Sequence, residues 1–207
     1  MEFTSHDSVA VLAFAHSAAY PRLTRTAWEK LADLLEEVRC AGLFTAVVIG
    51  SNSKSFASGA DLNEVAELEG LSAREFAELG QATCRTISSF PFPVVAAIRG
   101  YCLGGGLDLA LACHGRVATY DASFGHPGAT VGIMTGWGGT QRLPRLLGTA
   151  ATLQMLLTGE RIPASQALTL GLVDELAPAR DLVSAAAKRA RALQEKFSAR
   201  RGESLSS

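Results

Sequence analysis

The sequence lacks what several large classes of protein need. Its four cysteines lie far apart, with no Cys-x-x-Cys pair and no paired histidines, which predicts no metal site and no disulfide framework. Nineteen Lys and Arg against twenty Asp and Glu give a net charge of −1, so no positive field favours nucleic acid. The longest uncharged stretch, 122–141, contains six glycines and a proline, which excludes a membrane helix. With no targeting pattern either, we expect a cytoplasmic enzyme or ligand binder.

The residues that are present suit one globular domain. The 207 residues are 48% hydrophobic and 19% charged, a mixture typical of folded chains. Short apolar runs without polar alternation, at Val9–Phe14, 45–49 and Val94–Ile98, predict strands of a sheet that is covered on both faces. Strands alternate with segments of helical periodicity, which indicates an α/β fold with crossover connections.

Several helices can be assigned from their periodicity and their starts. Thr26 with Glu29, and Ser72 with Glu75, each form a capping-box pattern that predicts the start of a helix. Further helices are predicted at 141–147, 150–157, 164–170 and 181–197. The glycine-rich stretch 125–139 is expected to be irregular.

Two turns that contain glycine each join a buried strand to a helix. The first is FASGAD at 56–61, and the second is GYCLGGGLD at 100–108. Helix N-termini expose unpaired N–H groups, and glycine lets a ligand oxygen approach them. Such turns suit a phosphate, a carboxylate or a developing oxyanion, although the glycines can also serve only close backbone packing. The sequence contains no phosphate-binding P-loop and no Gly-x-Ser-x-Gly elbow.

Four sequence motifs follow one another along the chain. They are SGADL at 58–62, GYCLGGGLDLA at 100–110, GGTQRLP at 138–144, and the segment 157–173, which begins with LTG and ends with GLV. Together they resemble the crotonase superfamily, the enoyl-CoA hydratase/isomerase family. The resemblance implies an α/β spiral of ββα units over 1–178. A C-terminal helix and polar tail are expected over 179–207, a helical region shorter than the one that family members usually carry there. It also implies a homotrimer or hexamer whose ligand is an acyl-CoA or a carrier-bound acyl thioester. No cofactor is expected beyond the coenzyme A of the substrate.

Carried onto this sequence, the resemblance implies an oxyanion hole made by the backbone N–H groups of Ala60 and Gly105. These groups would stabilise the enolate of a thioester. The residues implied to contact the substrate or its coenzyme A are Ser58, Ala60, Gly104, Gly105 and Trp137. Trp137 can instead pack only against protein. Ala18 stands where family members often carry a Lys or Arg near the nucleotide, and Arg22 and Arg25 are close enough in sequence to substitute.

The sequence departs from the family's hydratases at the acid–base residues. Those enzymes use two glutamates, whereas here Asp108 stands at the first position and Gly128 at the second. Asp108 is either the catalytic group that moves a proton or a first-turn acid stabilised by the helix dipole. His126, before Pro127, is either an auxiliary catalytic group or a packing residue. Dienoyl-CoA isomerase activity is not expected, because its two further carboxylates would match Gly128 and Gly136.

Three functions are therefore open at this point. The first is hydratase or isomerase chemistry through an enolate, with Asp108 moving the proton. The second is decarboxylation of a malonyl-type thioester, which forms the same enolate without a base. The third is a catalytically weak acyl-CoA-binding protein, suggested by the glycine at 128.

Overall fold

A six-stranded sheet forms the centre of the computed structural model, which describes residues 1–14 and 20–204. Its strands, in the order β1-β2-β3-β4-β6-β9, are β1 Glu2–His6, β2 Val9–Phe14, β3 Ala46–Ser51, β4 Val94–Ile98, β6 Gly115–Thr119 and β9 Glu175–Ala177. β1 and β2 are antiparallel, and the other neighbours are parallel, with Val11 opposite Val48 and Val48 opposite Val95. The predicted α/β fold with crossover connections is confirmed.

A second, three-stranded sheet carries the segments that lead to the site. Its strands, in the order β5-β7-β8, are β5 Tyr101–Leu103, β7 Ser123–Gly125 and β8 Ile162–Pro163. β5 follows β4 almost directly, and β7 follows β6 in the same way, so consecutive strands enter different sheets before the next helix. This arrangement is the predicted spiral of ββα units.

The helices cover the sheet on two sides. They are α1 Arg25–Ala41, α2 Leu62–Ala66, α3 Gly70–Ser88, α4 Gly105–Ala112, α5 Gly139–Leu147, α6 Thr149–Thr158, α7 Ala164–Thr169 and α8 Leu182–Ser204. Trp28, Leu31 and Leu35 of α1 are buried in the main core. Ala186 and Ala190 of α8 are buried in a separate cluster with sheet residues. The apolar stripe of the last helix is thus buried against the sheet, as its spacing requires.

Two helices begin earlier than the sequence pattern predicts. α1 starts at Arg25, and its N-cap is Thr24, whose hydroxyl accepts the Ala27 N–H at 3.1 Å. The preceding chain is extended because the Leu23 N–H donates to the Gly59 carbonyl at 2.8 Å. In α3 the Ser72 hydroxyl accepts the Glu69 N–H at 3.0 Å, so Ser72 lies inside the helix rather than at its cap. Both predicted caps were therefore misplaced by two or three residues.

The stretch 125–139 is more regular than expected. It contains the end of β7, a 3₁₀ helix at Pro127–Val131 and the first residue of α5. Pro127 suits the first position of a helix, because an N–H group at that position would have no acceptor within the helix. The Thr130 hydroxyl donates to the Pro127 carbonyl at 2.7 Å and closes this turn.

Candidate active site

A cavity of about 500 Å³ opens beside the start of α4. Its wall is mainly apolar, with side chains from α2, the connection between α2 and α3, α3 itself and the segment after the 3₁₀ helix: Leu62, Val65, Leu68, Phe76, Ile133 and Met134. Among the described residues that line it, Asp108 and His126 are the only ionisable ones. A cavity of this size and polarity suits a hydrophobic ligand that is oriented by a few polar groups.

The structure brings every predicted site residue to this one cavity. The residues that line it include Ser58, Ala60, Gly104, Gly105, Asp108, His126 and Trp137. They come from separate parts of the chain: the turn after β3, the start of α4, the end of β7 and the turn before α5.

The two glycine-containing turns pack directly on each other. The Leu103 N–H donates to the Ala57 carbonyl at 3.0 Å, which joins them. A Cβ atom added to Gly59 would lie 3.6 Å from the Gly105 nitrogen. Gly59 and Gly104 have φ angles of 102° and 52°, which L side chains rarely adopt. Glycine is therefore required at both turns.

Two backbone N–H groups at these turns are unpaired. Among the described residues, neither the Ala60 amide nor the Gly105 amide has a hydrogen-bond acceptor. Gly105 is the first residue of α4, where the helix dipole adds a partial positive charge. The arrangement suits a ligand oxygen that carries or develops negative charge.

The Asp108 side chain is held by the turn before α5. Its Oδ2 accepts hydrogen bonds from the Thr135 hydroxyl and, at 3.3 Å, from the Trp137 N–H. Its Oδ1 is buried and has no hydrogen-bond partner among the described residues. Because the residue is only 1% exposed, it is not a solvated first-turn acid.

His126 is an ionisable neighbour of Asp108 within the cavity. Its Nε2 lies 3.4 Å from Asp108 Oδ1, and this nitrogen is also buried without a hydrogen bond among the described residues. A bond from the Gly104 N–H to the Gly125 carbonyl, 2.9 Å long, joins the end of β7 to the start of α4 and so brings the two side chains together.

Two residues of this site were not predicted from the sequence. Thr135 binds Asp108, and Gly139 leaves room for the pair. A Cβ atom on Gly139 would lie 2.4 Å from Asp108 Oδ1 and 2.9 Å from His126 Nε2. The glycines at 136, 138 and 139 are visible in the sequence. No sequence pattern shows, however, that Gly139 packs against the Asp108 carboxylate.

Trp137 forms part of the cavity wall and is otherwise packed in protein. Its ring centroid lies 4.9 Å from that of Trp28 and 5.2 Å from that of Phe76, both edge-to-face. Its indole N–H donates to the Phe76 carbonyl at 3.4 Å. These contacts anchor the segment that holds Asp108, so Trp137 has a clear structural role whether or not it also contacts a ligand.

The position of the family's second glutamate has no room for a side chain. A Cβ atom on Gly128 would lie 2.4 Å from the carbonyl oxygen of Ile133. The Ile133 N–H donates to the Gly128 carbonyl at 2.9 Å, which closes this loop. The backbone at Ile133 therefore occupies the position that the Cβ atom of a glutamate at 128 would need.

The basic residues considered for the nucleotide lie near the first glycine-containing turn. Ala18 is outside the described residues. Arg22 pairs with Asp61 at 3.2 Å, and this hydrogen bond lowers the pKa of the Asp61 carboxyl. Arg25 donates to the Ser72 carbonyl at 3.3 Å. Arg22 is half exposed beside the turn that carries Ala60 and can approach a ligand phosphate, whereas Arg25 is committed to α3.

Two features are absent from the part of the chain that the structure describes. None of their helices is both long and apolar enough to cross a membrane. No three His, Cys, Asp or Glu side chains in this part of the chain are grouped so that they would hold a metal ion.

Comparison with known proteins agrees with this geometry. The family model for enoyl-CoA hydratase/isomerase matches residues 4–201. The structure of DspI from Pseudomonas aeruginosa is 32% identical, with a TM-score of 0.84, over 95% of this chain and 79% of that one. An enoyl-CoA hydratase from Bacillus anthracis is 31% identical, with a TM-score of 0.85, over 95% and 76% of the two chains. An enoyl-CoA hydratase from Polaromonas sp. JS666 is 29% identical, with a TM-score of 0.87, over 93% and 76%.

The two sheets, the spiral of ββα units and the paired glycine turns define a protein of the crotonase superfamily. More specifically, the chain belongs to the enoyl-CoA hydratase/isomerase family.

Proposed function

We propose that this chain is an enzyme that binds an acyl thioester, of coenzyme A or of an acyl carrier, and stabilises its enolate. Enoyl-CoA hydratase/isomerase-type chemistry is the reaction class that fits best. The supporting observation is the pair of unpaired N–H groups of Ala60 and Gly105, which belong to adjoining turns on one apolar cavity. A thioester oxygen between them would gain negative charge as the α-proton leaves, and two fixed donors would stabilise that charge.

The acid–base centre proposed for this reaction is the buried pair of Asp108 and His126. It adjoins the oxyanion donors through α4, since Gly105 and Asp108 lie one helical turn apart. Moving a double bond needs one group that takes a proton from one carbon and returns it to another. Hydration also needs a group that activates water. The glycine at 128 leaves this pair without the family's second acid, which favours isomerisation over hydration.

Decarboxylation of a malonyl-type thioester is less well supported. None of the described residues lining the cavity is a Lys or Arg, so the carboxylate of such a substrate would have no counter-charge. It would also lie near the Asp108 carboxylate. We retain decarboxylation, and binding without turnover, as outcomes of the test rather than as proposals.

A panel of thioesters tests the reaction class. Purified protein is incubated with 3-hexenoyl-CoA, crotonyl-CoA and methylmalonyl-CoA, and products are followed by mass spectrometry. We expect the 3-enoyl ester to isomerise faster than the crotonyl ester is hydrated. Release of carbon dioxide from methylmalonyl-CoA alone would favour the decarboxylase. Micromolar binding by calorimetry with no turnover of any ester would favour a binding protein.

The role of the oxyanion donors is tested by Ala60→Pro, which deletes one N–H group. Since that group has no acceptor among the described residues, the fold loses no known hydrogen bond. We expect turnover to fall about 10²- to 10³-fold, the usual effect of losing one such donor. The melting temperature and the affinity for the CoA ester are measured on the same samples. Unchanged turnover in a folded variant would contradict the proposal.

We also propose that the protein acts in the cytoplasm as a homotrimer or hexamer. Exposed leucines on consecutive helices support self-association: Leu146 on α5 is 36% exposed, and Leu153 and Leu157 on α6 are 49% and 68% exposed. Burial of such side chains is a usual source of interface stability. Sedimentation equilibrium tests this, and a monomer at all concentrations would contradict it.

A further inference from the structure

The Asp108 carboxylate is enclosed on both oxygens. Oδ2 is occupied by the Thr135 hydroxyl and the Trp137 N–H. Oδ1 is buried between His126 and Gly139, where even a single added Cβ would be only 2.4 Å away. Asp108 lines the cavity, but its Oδ2 already accepts two hydrogen bonds and its Oδ1 is buried beside His126, so neither oxygen can take a proton from a substrate without giving up one of these contacts. Its shorter side chain, compared with the family's glutamate, agrees with this position.

The His126 ring lies beside Asp108, and both residues line the cavity. Nε2 faces Asp108 Oδ1 at 3.4 Å. Each of these two atoms is buried with no hydrogen bond among the described residues, which is costly unless they serve each other. A proton on Nε2 satisfies both atoms with a small approach of the ring, and such bonds often tighten when substrate binds. With the proton on Nε2, Nδ1 carries the free lone pair of the ring. Nε2 is fully buried without a hydrogen bond among the described residues, whereas Nδ1 does not belong to that set of atoms.

Among the described residues, no other charged side chain forms an ion pair with this imidazole. From α4 it faces Asp108, and a Cβ atom on Gly139, the first residue of α5, would lie close to both His126 and Thr135. The segment after α6 packs on Gly125 through Glu160 and Arg161. Their side chains are engaged elsewhere, Glu160 with Gln154 at 3.3 Å and Arg161 over the ring of Tyr101 at 5.1 Å.

We infer that His126 is the catalytic residue that exchanges the proton with the substrate, and that Asp108 is a positioning residue that acts through it. This inference rests on the enolate chemistry proposed above. Nδ1 takes the α-proton, and the C–H electron pair forms the enolate, whose oxygen is held by the two backbone amides. The imidazolium is balanced by Asp108. Nδ1 then returns a proton to the α-carbon, or to the γ-carbon of a 3-enoyl ester as the double bond moves, so that no other reactant is needed.

Exchange of α-hydrogen with solvent measures this step without knowledge of the natural substrate. Octanoyl-CoA is incubated with the protein in D₂O, and deuterium uptake is followed by mass spectrometry. We expect His126→Gln to lower the exchange rate about 10²- to 10⁴-fold, the usual contribution of a general base. Asp108→Asn should lower it at least about 10-fold, because an amide favours the wrong tautomer. His114→Asn is the matched control, a histidine outside the cavity, and should exchange at the native rate.

Chemical rescue separates a catalytic from a structural role. Exchange by His126→Ala should recover when imidazoles are added, and the recovered rate should follow their basicity. If His126→Gln exchanges as fast as the native protein while Asp108→Asn does not, Asp108 is the direct base and the inference is wrong. Failure of rescue in a folded His126→Ala variant that still binds the ester would also overturn it. No exchange by the native protein would instead remove the enolate proposal itself.

A measurement on the native protein avoids any dependence on how the variants fold. In protein labelled with ¹⁵N-histidine, the ring nitrogen shifts report which nitrogen carries the proton. We expect His126 to be protonated at Nε2 and to lack a proton at Nδ1. The reverse tautomer would leave no base facing the cavity and would overturn the inference.

Discussion

The indole ring of Trp137 fills the space that a side chain on Gly105 would need. A Cβ atom on Gly105 would lie 2.1 Å from Cζ3 of the ring. At the five-membered part of the indole, a Cβ atom on Gly80 would lie 2.4 Å from the ring nitrogen. The ring is thus wedged between α3 and the start of α4, so one packing contact sets both the candidate oxyanion donor and the turn that binds Asp108.

Gly105→Ala should therefore damage stability and activity together. The added methyl group must displace either the indole or the start of α4, which typically costs about 1–3 kcal/mol. Gly50→Ala is the matched control, since its Cβ would lie 3.5 Å from that of Ala97, an ordinary contact. Urea unfolding and α-hydrogen exchange on both variants test this. A Gly105→Ala protein with native stability would show that the Trp137 ring can move to make room for the added methyl group.

The two turns of the candidate site could be predicted from short, local patterns, whereas the roles of Ala60 and Gly105 within them come from the family resemblance. Ala60 and Gly105 follow buried strands within turns whose glycines are visible in the sequence. The partners of Asp108 could not be predicted in the same way. Thr135 is 27 residues away along the chain, and it reaches the carboxylate only through the path of the turn before α5. No local periodicity encodes such a contact.

Two of the strands that the sequence does not predict, β1 and β8, show the same limit. β1 is exposed at every residue, so it has no apolar alternation, and β8 is only two residues long. Both exist because a partner strand supplies their hydrogen bonds, β2 for the first and β7 for the second. By contrast, β2 and β4 are buried throughout and were found from their apolar runs.

Gly128→Glu should not restore the second acid of the family's hydratases. The new Cβ would meet the Ile133 carbonyl, so the loop must open, and we expect a loss of about 1–3 kcal/mol. Hydration of crotonyl-CoA should not increase. Gly136→Glu is the control for stability, because no atom lies within 4 Å of its Cβ position. A stable Gly128→Glu protein with faster hydration would contradict this prediction.

The cysteines should differ sharply in reactivity. Burial raises the pKa of Cys84 and of Cys113 to about 12, and it raises the pKa of Cys102 well above the ordinary value. Cys40 is exposed, although its hydrogen bond to Glu36 raises its pKa as well. Iodoacetamide at pH 8 should therefore modify only Cys40 in the native protein, and all four thiols in urea, as read by peptide mass spectrometry. Early modification of Cys102 would indicate that the second sheet opens.

His114 should make the fold less stable at mildly acidic pH. Its Nδ1 accepts the Val94 N–H at 3.0 Å, and its Nε2 lies 3.2 Å from the Ser88 carbonyl, so the neutral ring with a proton on Nε2 fits both contacts. Burial, the main cause, lowers the pKa of His114. The unfolded chain then binds a proton more readily than the folded one. Stability is complete above the ordinary histidine value, about 6.5, and falls as the pH drops from there toward the lowered pKa of the folded state.

Urea unfolding at pH 7.5 and pH 5.5 measures this effect. His114→Asn can still accept the Val94 N–H but does not titrate, so the loss of stability between the two pH values should be smaller in the variant. Protonation of the native ring removes one buried hydrogen bond, so we expect a difference on the order of 1 kcal/mol. Carboxylates titrate at lower pH and are common to both proteins, so they cancel in the comparison. Equal losses in the two proteins would mean that His114 accepts a proton without giving up its contact to β4.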